Sequence, residues 1–128
     1  MDIAQIVADY LQLNGFGTIG ENLYIGYMPE STAGIYIDRI GGTMNNYVPI
    51  EESAVNIYVK NTSGQQAVQT LEGIKRFIHR MHNTYQGSAY IYTFLVIGDI
   101  EDVARDLEYS KIYKLTVQVV YRNTAIIS

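Results

Sequence analysis

The sequence predicts an α+β fold in which two main helices pack on a largely antiparallel sheet, in the order α-β-β-β-α-β-β. Three observations carry this. Two segments place apolar residues at helical spacing, five others alternate apolar and polar residues, and most connections are short enough for hairpins. The chain has 128 residues, so a single domain spanning 1–128 is expected, large enough to bury its own core.

The first helix is written by Ile3, Ile6, Val7, Tyr10 and Leu11, one face of a 3.6-residue period. Asp2 is the candidate cap at its start, and Asn14-Gly15 supplies the left-handed stop. A loop from Gly15 to Gly20 follows. Leu23, Ile25 and Tyr27 then alternate with Asn22, Tyr24 and Gly26, and Pro29 ends this strand. A turn over Glu30 to Gly34 leads to a second strand, Ile35 to Ile40, which Gly41-Gly42 is expected to stop. Gly41 to Ile50 reads as a long, flexible segment. A third strand runs from about Ser53 to Lys60, with Val55, Ile57 and Val59 on one face.

Thr62 or Ser63 should cap the second helix, which the spacing extends to about Asn83. Val68, Leu71, Ile74, Ile78 and Met81 form its apolar stripe, with Lys75, Arg76, His79, Arg80 and His82 to the sides. Tyr90 to Ile97 and Tyr113 to Tyr121 are the two longest strands. Between them lies a charged connection, Asp99 to Lys111.

Composition removes several classes of function. With 48% hydrophobic and 17% charged residues the chain is globular, and with no cysteine it has no disulfide framework, thiol nucleophile or thiolate metal site. The net charge of −4 disfavours a protein that grips phosphate backbones through Lys and Arg, so no sequence-specific nucleic-acid partner is expected. No apolar run approaches the ~20 residues of a membrane span. Asp2 and Asp9, without an early Lys or Arg, do not read as a signal peptide. The chain is expected to be soluble and made inside a cell.

Motifs for catalysis are missing. His79 and His82 lack a third zinc ligand in a recognised spacing, and the glycines of 15–20 follow a helix and include no Lys for a phosphate. Glu51 and Glu52 are adjacent and would point apart in a strand. No nucleophile, base and oxyanion site come together, so neither enzyme activity nor a cofactor is expected.

What remains is a set of surfaces. Lys75, Arg76, His79, Arg80 and His82 are the only cationic cluster. Asp99, Glu101, Asp102, Asp106 and Glu108, offset by Arg105 and Lys111, are its acidic counterpart. A solvated helix face or an acidic protein partner explains the first more readily than nucleic acid does, and a solvated loop explains the second more readily than a bound cation. In a ring of copies, however, the acidic cluster could meet the basic helix of a neighbour. Twelve Tyr against three Phe and no Trp add rings with one polar end, suited either to protein contacts or to exposed sheet faces.

The run Tyr10-Leu11, Gly15-Phe16-Gly17-Thr18-Ile19-Gly20 and Leu23-Tyr24-Ile25-Gly26-Tyr27-Met28-Pro29 resembles the start of a family of small phage minor capsid proteins. These are related to the tail terminator proteins of long-tailed phages. The resemblance continues through Gly41-Gly42, Val55 to Lys60, the following helix and Tyr113 to Arg122. Where the family has Gly-Arg-Asp-Glu before the last strand, this chain has Ala104-Arg105-Asp106-Leu107-Glu108.

The resemblance implies structural work in the virion, at the head-proximal end of the tail, after assembly in the host cytoplasm. Its expected partners are further copies of itself in a hexameric ring, the tail tube protein, and a head-side connector or neck protein, with the genome passing through the ring. Such subunits can stay monomeric until a template is present. Candidate interface residues are Tyr47, Glu51 and Glu52 in the 41–52 segment; Arg76 and Arg80 on the helix; and Asp99, Glu101, Asp102, Arg105 and Asp106 in the acidic connection. If that connection lines the bore instead, its charge would keep passing DNA from sticking. The alternatives are a head-closure or tail-completion neck protein, and a phage-encoded module directed at a host protein.

Overall fold

A computed structural model describes residues 3–26, 33–44, 51–78, 82–86, 89–105 and 111–123. Asp2, Tyr27, Pro29, the turn at 30–32, Tyr47 and the rest of 45–50, His79, Arg80, Met81, Asp106 and the rest of 106–110 lie outside the described residues. The elements are α1 (Ile3–Leu13), β1 (Leu23–Ile25), β2 (Gly34–Met44), β3 (Glu51–Asn61), α2 (Gly64–Ile78), β4 (His82–Gln86), β5 (Ala89–Arg105) and β6 (Lys111–Asn123). The strands form one six-stranded sheet in the order β1-β2-β3-β6-β5-β4. Only β1 and β2 are parallel among its pairs. The α+β class and the expected order hold, with β4 as an additional strand.

Both helices cover one face of this sheet. Val55, Ile57 and Val59 of β3 and Leu115, Val117 and Val119 of β6 are buried on that face, as strand alternation requires. They form one core with Ile3, Ile6, Val7 and Leu11 of α1 and Leu71, Ile74 and Ile78 of α2. α1 lies over β1, β2 and β3, and α2 over β3, β6 and β5. Aromatic rings join the two halves: Tyr10 packs 5.3 Å from Phe77 and 6.4 Å from Phe94, and Phe16 packs 5.4 Å from Phe77. Burial among these rings pushes the Tyr10 hydroxyl pKa above its ordinary value.

The helix ends follow from local chemistry. Gly15, at φ 84°, closes α1. The N–H of Phe16 bonds to the Leu11 carbonyl at 3.0 Å, and that of Gly15 to the Gln12 carbonyl at 3.1 Å. This is the two-bond left-handed cap, and it carries the Phe16 ring onto Phe77. Ser63 caps α2, its Oγ accepting from the Gln66 N–H at 3.3 Å. Ala67 of α2 is fully buried where Val68 was expected; Val68 is half-buried.

Three boundaries differ from the sequence reading. β2 does not stop at Gly41-Gly42; it runs to Met44, and the glycines sit beside a register shift after Arg39. Glycine inside a strand commonly marks such a bulge. Residues 41–44 of the expected flexible segment are therefore strand, paired with Glu51–Ala54, and its remainder lies outside the described residues. α2 does not reach Asn83, because His82–Gln86 instead pair antiparallel with β5. Thr84 and Tyr85 suit a strand, and Asn83 is a weak helix former.

The third difference concerns the charged connection: Asp99–Arg105 continue β5, and Glu101–Arg105 pair with Lys111–Lys114 of β6. Gly98, at φ 75°, and shifts at Ile97/Glu101 and Asp102/Ala104 let the strand pass through an irregular stretch.

Gly34 tests the packing of the first strands. The Ile35 N–H bonds to the Asn22 carbonyl at 2.9 Å, and a Cβ on Gly34 would meet that oxygen at 2.8 Å. Backbone on the far side leaves no room to yield. Gly34→Ala is expected to destabilise the fold by about 1–3 kcal/mol, read as a lower urea midpoint at unchanged slope.

Candidate assembly surfaces

The face of the sheet away from the helices is polar at its centre and apolar at intervals. Strand alternation places Asn56, Tyr58, Lys114, Thr116 and Gln118 there, opposite the buried positions. Thr116 Oγ1 donates to Asn56 Oδ1 at 2.7 Å, and Asn56 Nδ2 donates to the Tyr58 hydroxyl at 3.1 Å. Gln118 Nε2 donates to Glu52 Oε2 at 3.2 Å. Leu95 and Ile97 of β5 and Ile40 of β2 stand exposed around this network. Sequence reading missed the network because its partners are some sixty residues apart and meet only through the register of β3 and β6.

The acidic limb is an edge, not a loop. Beyond Thr93, β5 has no β4 partner, so from Phe94 to Arg105 it pairs on one side with β6 alone among the described strands. Asp99, Glu101 and Asp102 are exposed along it. Glu101 stands opposite Lys114 and pairs with its Nζ at 3.3 Å. Asp99 reaches Lys75 of α2 at 3.8 Å. The two expected clusters thus touch within one chain, through exposed pairs of small energetic worth. The backbone of Arg105 pairs with Lys111.

The basic cluster is divided by the fold. Lys75 and Arg76 occupy the last turn of α2, where positive charge complements the helix dipole. Arg76 is exposed, whereas His82 belongs to β4. Glu51 and Glu52 begin β3, and Glu52 faces solvent beside Gln118.

Tyrosines mark a second end of the sheet. Tyr24 and Tyr36 stack at 5.5 Å and are buried, while Tyr121 is buried against the core and its hydroxyl lies 3.1 Å from Ser53 Oγ. Tyr85, Tyr90 and Tyr92 form an edge-to-face series at 4.8 and 5.1 Å near the β4 edge. The Arg122 guanidinium lies over Tyr90, 5.6 Å from its centroid. The tyrosine excess therefore serves core, sheet face and edge together. No group of three His, Cys, Asp or Glu that could hold a metal ion occurs among the described residues.

Residues 10–123 match the bacteriophage tail terminator protein family. The chain belongs to that family. A comparison with curated proteins found no match. The matched span of the tail terminator family runs from the third turn of α1 to the end of β6, and so takes in the whole sheet, α2 and every surface described above. The protein is a structural component of the phage tail.

The exposed ion pairs give a stability test. Lys75→Met and Asp99→Asn should each change the unfolding free energy by no more than about 0.5 kcal/mol. Chemical denaturation checks this, and a larger loss would show that the pair anchors the edge of β5.

Proposed function

We propose that the chain ends the phage tail by assembling as a hexameric ring on the head-proximal end of the tail tube. The ring stops tube polymerisation by capping: it binds the growing end and offers no equivalent new end. Its other side provides the surface that the head-side connector or neck protein joins. Assembly takes place in the host cytoplasm, and the genome passes through the ring.

The family match over residues 10–123 is the observation that carries this reading. The surfaces are consistent with it physically. A closed ring needs two unlike, complementary patches on one subunit, since a head-to-tail contact closes when its rotation closes. The exposed carboxylates of β5 and Arg76 of α2 are candidate parts of such patches, although Lys75 and Asp99 already pair within one chain. The 45–50 connection between β2 and β3, with Tyr47, is proposed to contact the tube or a neighbour, and Arg80, Arg105 and Asp106 to extend the subunit contacts.

Deleting the gene from its parent phage and viewing the particles by negative-stain electron microscopy tests the proposal. Tails of uncontrolled, excessive length without joined heads are expected. Tails of normal length beside filled, unattached heads would move the protein to the head-joining step, and normal infectious particles would point to a host-directed role. In a complemented deletion strain, Arg76→Glu should lower the yield of joined tails if that end of α2 is a subunit contact; wild-type yield would remove it from the interface.

A further inference from the structure

Among the described residues Arg122 is a cation without a counterion. It is half-buried on the helix-free face of β6, opposite Tyr90 in the β5–β6 register. Its Nε is buried with no hydrogen-bond partner, and among the described residues its contact is the Tyr90 ring. Leaving that buried donor unanswered is costly. On the other side of Tyr90, Tyr85 is 65% exposed, a large ring held edge-on by Tyr90. Exposed tyrosine next to arginine is the composition of an interface hot spot.

The other end of the same strand holds the complement. Asp102 is exposed and has no ion pair or hydrogen bond among the described residues, unlike Asp99 and Glu101. The register shift between Asp102 and Ala104 leaves Val103 at 46% exposure beside it. One end thus presents a carboxylate next to an aliphatic group, and the other a guanidinium next to an aromatic ring. Tyr90 and Asp102 are twelve positions apart on β5. Because of the shifts between them they face Arg122 and Tyr113, nine positions apart on β6 and about 30 Å at strand rise, so the two ends of one chain cannot meet each other.

We propose that the Tyr85–Tyr90–Arg122 patch of one subunit receives the Asp102–Val103 bulge of a second copy, head to tail. Asp102 accepts from the Arg122 guanidinium, in the forked geometry that suits carboxylates. Val103 packs on Tyr85. The contact joins opposite ends of the sheet, so it is heterologous and repeats from subunit to subunit. It rests on the ring reading above and names the residues that form the ring.

The natural chain has no cysteine, which permits a direct test. Full-length protein carrying Tyr85→Cys and Val103→Cys is supplied to the deletion phage, and isolated tails are oxidised and run on a denaturing gel without reductant. A ladder of disulfide-linked multimers is expected, absent from either single-cysteine variant. Monomer alone in tails of normal length would overturn the contact.

Charge exchange gives the second readout. Arg122→Glu and Asp102→Arg should each cut the yield of joined, normal-length tails by about tenfold or more, and combining them should restore most of it. Wild-type yield from both single variants, or a combination no better than either, would overturn the proposal. If Arg122→Glu does not fold, Asp102→Arg and the cysteine pair decide, since both change exposed positions. Failure of the ring reading looks different: the deletion phage itself would then make tails of normal length.

Discussion

The pairing of β3 with β6 is the constraint on which the rest of the structure depends. Eleven residue pairs, from Glu51↔Tyr121 to Asn61↔Lys111, run without a register shift. β2–β3 and β5–β6, on either side, both contain shifts. A slip of one residue in the central pair would turn Val55, Ile57 and Val59 to the outer face and leave both helices without a floor. The same register builds the outer network, since Thr116 meets Asn56 only when Val117 meets Val55. One regular ladder therefore sets both the core and the surface. Irregularity is confined to the flanking ladders, where bulges and charges keep open edges from pairing with any passing strand.

How much of this the sequence discloses depends on where each residue's partner lies. α1, β3 and the apolar stripe of α2 are legible because their period is local: Ile3, Ile6, Val7 and Leu11, or Val55, Ile57 and Val59, point one way whatever they meet. β4 was hidden because His82–Gln86 continues a helical pattern and becomes a strand only through β5. The distal half of β5 was hidden for a related reason. Asp99–Arg105 reads as a solvated loop until the register places Lys114 opposite Glu101. Cross-strand charge pairing of this kind stabilises a strand that its own residues would not favour.

The surfaces show the same division. Acidic and basic clusters are visible in the chain, but the fold shows that Lys75 and Lys114 already face Asp99 and Glu101. Counting charges overstated what is free to bind. Conversely, Arg122 is one basic residue in an apolar run, with nothing in its neighbours to single it out. Its distinction comes from half-burial over Tyr90 and an unanswered Nε, both of which are properties of the register. The tyrosine excess signalled rings with two uses, and the structure divides them between stacked, buried Tyr24 and Tyr36 and the exposed Tyr85.

On the proposed reading, the modesty of these patches has a mechanical consequence. A guanidinium–carboxylate pair with one aromatic contact stabilises a subunit interface by only a few kcal/mol, before the loss of translational freedom is counted. Two free subunits at low concentration would then dissociate readily. Six held on a template are another matter, because each new copy meets a neighbour already in place and the last closes two contacts at once. Weak pairwise contacts and a templated ring are thus compatible, and together they confine assembly to the end of a tube. A subunit with stronger edges would polymerise away from the tail. On this reading the single guanidinium–carboxylate pair of each contact keeps it below that threshold.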